Sequence, residues 1–242
     1  MISKDSPLFL WNQLISVWMS GQIGLPKAQR WKTYDTAEHG GIRHQDSLQH
    51  SYSIMVLARI LIHYLRREGV KLDSEFFLTS VMLHDHGEGE LGFDVVYIDK
   101  TPSDDLNEYL AFRKRFETLE PDLYAEFEQA FLLQFAAKDS VIFPDQARRV
   151  MAKLREERPV EILAFEGLER WDYLFFPLEQ WAERGNKRIL VQVLRNQMPH
   201  MDRIVGGLPE FGRAVWTQEI RGWCQTFLTQ HEGQWVQETR GR

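Results

Sequence analysis

Leu83-His84-Asp85-His86-Gly87-Glu88 closes the apolar stretch Phe76-Phe77-Leu78-Thr79-Ser80-Val81-Met82-Leu83, which reads as a buried helix. A histidine followed at once by an aspartate in such a place needs a physical reason. Burying a carboxylate beside an imidazole is costly unless a cation pairs with them. A divalent metal ion is the simplest such cation, because it takes a neutral imidazole nitrogen and a carboxylate oxygen together. Two other helices offer ligands on faces that otherwise read as core. His50 sits above Ser53, Ile54 and Leu57 on a buried stripe, and His84 has Val81, Ser80 and Phe77 behind it. Asp172 has Phe165, Leu168, Phe175 and Phe176 as helical neighbours. A lone histidine on an apolar stripe is more often a hydrogen-bonded core residue, and a lone aspartate more often caps a loop. The ordered set His50, His84-Asp85, Asp172 favours a metal over three separate coincidences.

Nearly every segment around this centre has helical period, and runs of alternating β-branched residues are absent, so an all-α fold is expected. The spacing predicts an amphipathic first helix from Pro7 to about Ser20, unlike a signal peptide. A long polar irregular segment, Gly21 to Asp46, follows it. Asp46 with Gln49 fits a capping box for a second helix that runs to Glu68 and stops at Gly69. The third helix spans Asp73 to His86, and Gly87, Gly89 and Gly92 end it and open a loop to Pro102. Ser103 is the expected cap of a helix to Leu119, and further helices are expected over 121–137, 144–156 and 159–184. Two more are expected near 187–196 and 210–230, with Gly206-Gly207 as the best internal linker. The whole chain, 1–242, is read as one helical domain, with a core over about 30–186 and the helices of about 187–230 packed on it.

Composition narrows the function classes. Hydrophobic residues make up 43% of the 242, enough for a full core. A net charge of −6 argues against nucleic-acid binding through a broad basic face, but leaves room for a small nucleotide in a local basic pocket. The single cysteine, Cys224, rules out a disulfide framework and a thiolate metal cage, so a cytoplasmic, reducing setting is expected. No apolar run reaches membrane-spanning length, and no membrane partner is expected. H-E-x-x-H, G-x-x-x-x-G-K-[ST] and G-x-S-x-G are all absent.

Further residues join the pattern. Arg43-His44-Gln45-Asp46-Ser47-Leu48-Gln49-His50-Ser51 is an arginine-led approach ending in His-Ser. Glu88 follows Asp85 by three residues, and Asp94 lies in the next loop, ahead of Thr101-Pro102. The helix that carries Asp172 ends in Glu179-Gln180-Trp181-Ala182-Glu183-Arg184-Gly185-Asn186. This series resembles the HD-domain metal-dependent phosphohydrolases, over most of residues 30–186, and within them the 5′-deoxynucleotidase-like branch. The resemblance implies a helical bundle around a single metal site, with one divalent ion (Mn, Co, Fe, Ni, Mg or Zn) held by His50, His84, Asp85 and Asp172. The chain departs from that branch in carrying Gln49 where the branch has glutamate, and in apparent insertions around Glu120 and Ser140. Arg30-Trp31 matches the branch's Arg-Trp dipeptide near the sugar, at a greater distance from the first histidine. Two-metal HD enzymes add histidines before the last aspartate; none occurs here between Gly87 and Pro199, so one metal is the better reading.

Two imidazoles and two carboxylates leave open positions on an octahedral ion for water and a phosphoryl oxygen. Glu88, a turn beyond His84, then stands at the rim as a proton-moving group, where the bland alternative is a solvated helix end. Arg43 is the expected phosphate fork and Lys100 a second cation of the mouth, against the alternative of ordinary surface charges. Asp94, Arg30 and Trp31 are the expected contacts to sugar or water, and His86 is a spare imidazole. The expected activity is release of phosphate from a small phosphoester, a (deoxy)nucleoside 5′-monophosphate first. The alternatives are a nucleoside triphosphate or sugar phosphate as substrate, and a catalytically silent metal-binding regulatory module. An HD-type oxygenase is disfavoured by the missing histidines. The partner is a small phosphorylated molecule, with a homodimer left open.

Overall fold

A computed structural model of the chain describes residues 11, 14–15, 17–34, 42–95, 99–138 and 141–231. These residues are all-α apart from β1, Gln29–Arg30, and β2, Gln45–Asp46, which pair antiparallel with Gln29 opposite Asp46. The helices are α1 (Ser47–Arg67), α2 (Ser74–Leu83), α3 (His86–Leu91), α4 (Pro102–Phe116), α5 (Pro121–Ala136), α6 (Asp145–Glu157), α7 (Pro159–Arg184), α8 (Lys187–Gly207), α9 (Pro209–Ala214) and α10 (Gln218–His231). The chain divides into two compact units. The first comprises Met1–Lys32, His44–Val56 and Asp73–Ile162; the second comprises Thr33–Arg43, Leu57–Leu72 and Leu163–Arg242. No helix among the described residues is long and apolar enough to cross a membrane.

Local chemistry sets the helix ends. Asp46 Oδ1 accepts the Gln49 backbone N–H at 2.8 Å and Gln49 Oε1 accepts that of Asp46 at 3.4 Å, the capping box expected for α1. Its apolar stripe, Ile54, Ala58, Leu61 and Leu65, is fully buried. Gly69, at φ +86°, ends the run: its N–H reaches the Arg66 carbonyl and that of Val70 the Leu65 carbonyl, both at 3.0 Å. Thr101 rather than Ser103 caps α4. The Asp104 carboxylate accepts the Thr101 backbone N–H at 2.8 Å, and Thr101 Oγ1 accepts from Asp104 N in return. Thr101 wins because Pro102 takes the first helical position, where its missing N–H costs nothing.

In the first unit the aromatic core is built by α4 and α5. Phe112 stacks between Phe116 and Phe131, at 4.4 and 4.0 Å between centroids, and Phe131 meets Phe135 edge-on. The stretch 21–46, expected to be irregular, instead holds a π-helical turn (Ser20–Gly24), two 3₁₀ turns and the β1–β2 pair, with residues 35–41 outside the described residues. Half of the predicted first helix, residues 7–10, 12, 13 and 16, lies outside them too; residues 11, 14, 15 and 17–19 are helical.

The largest departure from expectation is at the glycines. The helix read as Asp73 to His86 stops at Leu83, and a new helix starts at His86. Gly87 and Gly89 lie inside that helix, and of the expected stop signals Gly92, at φ +77°, is the one that acts. Gly87 and Gly24, the glycine that faces Gly89, are glycines because backbone passes close by. A Cβ on Gly87 would lie 2.5 Å from the Glu108 carbonyl oxygen, and one on Gly24 would lie 2.7 Å from that of Gly89. Neither neighbour is a flexible side-chain tip, so the main chain itself would have to shift. Gly87→Ala is therefore expected to lower the melting temperature by roughly 5–10 °C, the effect of an overpacked core in a chain of this length. Circular dichroism checks this, and an unchanged melting temperature would contradict the close packing of α3 on α4.

In the second unit the α8 stripe of Leu190, Val193, Leu194, Met201 and Ile204 is buried on both sides of Pro199. The helix therefore continues to Gly207 instead of stopping near Asn196: burial on both flanks outweighs the roughly 3 kcal/mol a mid-helix proline costs. Gly206-Gly207 is accordingly its last turn and not a linker. Trp181 and Phe227 pack edge to face at 5.1 Å, and Asp202 holds Arg221 through two 2.8 Å hydrogen bonds.

Candidate metal centre

His50 lies in the first turn of α1. His84 and Asp85 form the two-residue break between α2 and α3. That break turns both side chains towards His50. His50 Nε2 is 3.2 Å from His84 Nε2, His84 Nε2 is 3.1 Å from Asp85 Oδ1, and His50 Nε2 is 3.6 Å from Asp85 Oδ2. One potential ligand atom from each of the three lies within 4.8 Å of the others, and all three residues are buried.

The donor chemistry fits a cation at this place. His84 Nδ1 lies 2.7 Å from the Val81 carbonyl oxygen, to which a neutral ring donates its proton. Its Nε2 then carries a lone pair facing a second imidazole nitrogen and a carboxylate oxygen. Lone pairs at such distances repel unless a proton or a metal ion lies among them. Asp85 Oδ2 is buried and accepts no hydrogen bond; the Arg30 guanidinium stands 3.5 Å from it. Gln134 Nε2 donates to the His84 carbonyl at 2.9 Å and fixes the break from behind. Burial works to raise the Asp85 carboxyl, but His84, His50, Arg30 and Lys100 outweigh it and pull it down to about 2, so it stays ionised.

Glu88 lies in the first turn of α3 and is 5% exposed. Ser47 Oγ stands 3.5 Å from its Oε2 and Lys100 Nζ 3.4 Å from its Oε1. Burial, with Asp85 and Asp94 nearby, lifts the Glu88 carboxyl well above the usual carboxylate range despite Lys100. Lys100 is not a free cation of the mouth. Its ammonium sits 2.7 Å from Glu108 Oε1 and 3.9 Å from Asp105 Oδ1 as well. Burial opposes its charge, yet Glu108, Glu88 and Asp105 hold it well above an ordinary lysine. Burial likewise lifts Glu108 to about 7, although Lys100 pulls the other way. Sequence reading passed over Glu108 and Asp105. Both lie on the α4 stripe that continues through Tyr109, Phe112 and Phe116, and two acids on an apolar stripe were the available signal.

The other expected residues fall as follows. Arg30 is 5% exposed and faces Asp85, a ligand-type residue. Trp31 is buried at φ +61°, a strained setting for a bulky residue, and its indole N–H donates to Gln45 Oε1 at 2.9 Å. Asp94 is half-buried and contributes to the field at Glu88. His86, read as a spare imidazole, is buried. Ser20 Oγ lies 3.3 Å from its Nδ1 and the Phe116 ring packs edge-on, and burial drives its pKa down to about 4, so it is neutral. In the second unit, Arg43 pairs with Glu179 at 2.8 Å, and its backbone N–H donates to Gln180 Oε1 at 3.1 Å. Asp172 is buried on α7, in the same unit. Comparison with known proteins returned no match, whether to family models, to curated sequences or to solved structures.

Proposed function

We propose that the chain is a metal-dependent phosphohydrolase of the HD-domain type, acting on a small phosphomonoester, a (deoxy)nucleoside 5′-monophosphate first. The observation that carries this reading is the buried His50–His84–Asp85 group, whose donor atoms face one another with the His84 ring fixed by Val81. His50, His84 and Asp85 would hold one divalent ion, and Asp172 joins them on the resemblance alone. The ion, when bound, would acidify a water molecule and hold a phosphoryl oxygen.

The chain's own residues supply the rest. In hydrolysis a water oxygen bonds to phosphorus, the ester P–O bond breaks, and the leaving alkoxide needs a proton. Glu88 is suited to give it: its raised pKa keeps a proton on the carboxyl at a pH where an ordinary glutamate has lost it. Lys100 and Ser47 hold the two oxygens of that carboxyl in place. Arg30 balances the charge of Asp85. Asp94 would read the sugar; Trp31 joins it on the resemblance alone, its indole N–H being donated to Gln45. On the resemblance alone, Arg43 would fork two phosphate oxygens in place of Glu179. With Lys100 committed to carboxylates, the cations left for phosphate are few, which suits a terminal monophosphate better than a triphosphate. Deoxy sugars are favoured on the resemblance alone.

The test is a phosphate-release screen in which one nucleoside is offered as mono- and triphosphate, with several divalent ions in turn. Faster release from the monophosphate is expected, with both activities lost in Arg43→Ala. Faster release from the triphosphate would refute the substrate assignment. Metal-loaded protein that releases phosphate from nothing in the panel would leave a silent binding module.

A further inference from the structure

Residues 11–18 are Trp-Asn-Gln-Leu-Ile-Ser-Val-Trp, and their large apolar positions Trp11, Leu14, Ile15 and Trp18 have the same spacing read in either direction. Their intervals of three, four and seven place all four on one face of a helix. Among the described residues that face stays open. Trp11 is 63% exposed, Leu14 50%, Ile15 47% and Trp18 64%. A contiguous apolar patch rimmed by polar residues marks an interaction surface.

We propose that this face pairs with the same face of a second copy of the chain, antiparallel, about a two-fold axis between positions 14 and 15. An isologous interface requires a patch that is its own complement. The palindromic spacing provides one: Trp11 of one copy meets Trp18 of the other, and Leu14 meets Ile15. Charge agrees with this occupant. No charged residue occurs between Asp5 and Lys27, so like copies do not repel, and the basic face that would hold such a helix on anionic lipid is missing. The area agrees as well. Two tryptophans, a leucine and an isoleucine at these exposures offer on the order of 500 Å² per copy, near the lower bound of a specific interface when doubled. An interface of this size is a small one, so association is sought at micromolar concentration and above. This inference is independent of the metal centre and of the activity proposed for it.

Sedimentation velocity of the full chain across the micromolar range is the test. Wild type is expected to dimerise, and Trp11→Lys and Trp18→Glu are each expected to weaken the dimer by about tenfold or more. The chain carrying both substitutions is expected to lose less affinity than the product of the two single losses, because antiparallel pairing sets each introduced lysine against an introduced glutamate. A parallel pair would set like against like. Circular dichroism controls for folding in every variant, and a double loss smaller than the product of the single losses does not arise from misfolding. A wild type that is monomeric throughout overturns the proposal, as does a dimer indifferent to the single changes or a double variant whose loss equals or exceeds the product of the single losses. A monomer that co-sediments with phosphatidylcholine vesicles overturns it in favour of lipid.

Discussion

His84→Ala protein is expected to purify free of metal while wild type carries about one divalent ion per chain. The argument rests on the position of His84 within the ligand group. Its Nε2 is 3.2 Å from His50 and 3.1 Å from Asp85, so it is the shared neighbour of both other donors. Its orientation is set by Val81 through Nδ1, and loss of an orienting contact of that kind alone costs a metal site 10–100-fold in affinity (roughly, in characterised sites). Loss of the ligand itself should cost more. Elemental analysis after dialysis checks the stoichiometry. A chelator titration followed by melting temperature checks the linkage, since an ion that binds the folded state alone raises that temperature. Metal-free wild type in every preparation, with a melting temperature indifferent to chelator, would remove the metal reading altogether.

Glu88→Gln should keep its metal and lose turnover by about 10²-fold or more, the range for removal of a positioned proton donor. The same variant should be more stable than wild type at neutral pH, and the two effects together separate a chemical role from a structural one. The sign follows from the raised pKa of Glu88. A carboxyl whose folded pKa lies above its unfolded value of 4.5 favours folding only in its protonated form. That contribution is whole below about 4.5 and is lost as pH rises through the folded value, beyond which ionised Glu88 is a cost borne against Asp85 and Asp94. Glutamine keeps the shape and removes the cost. Its melting temperature should thus exceed that of wild type at neutral pH and converge with it in acid. Wild-type turnover in this variant would end the case for Glu88 as proton donor. Loss of turnover together with loss of metal would make it a support of the ligand group.

Much of this site was legible in the sequence, for a definable reason. His50, His84 and Asp85 are polar residues on stripes that 3.6-residue periodicity marks as core, and such conflicts between pattern and polarity are where function shows. The same conflict flagged Asp172, and it would have flagged Asp105 and Glu108 had α4 been read as closely as α2. The roles of Lys100 and Arg30 were not legible. Both are cations in polar surroundings, and nothing in their neighbours tells that one lies among Glu108, Glu88 and Asp105 and the other against Asp85. The capping of α1 and its stop at Gly69 depend on residues three or four apart and could be read directly. The break at His84-Asp85 could not, because what allows α3 to start there is the fit of Gly87 against Glu108, a neighbour 21 positions away.

The glycines also bear on how this sequence can drift over evolutionary time. A metal ligand constrains the identity of a side chain, and another donor can sometimes replace it. Gly24 and Gly87 constrain the absence of one, because backbone atoms stand 2.7 and 2.5 Å from where a Cβ would be. No other coded residue meets that condition. In any lineage that keeps this packing, Gly24 and Gly87 should therefore outlast Lys100, His86 and even Glu88, the proposed proton donor. Homologues that retain both glycines but lack His84 would be descendants of this fold without the candidate ligand group, recognisable by what they cannot add.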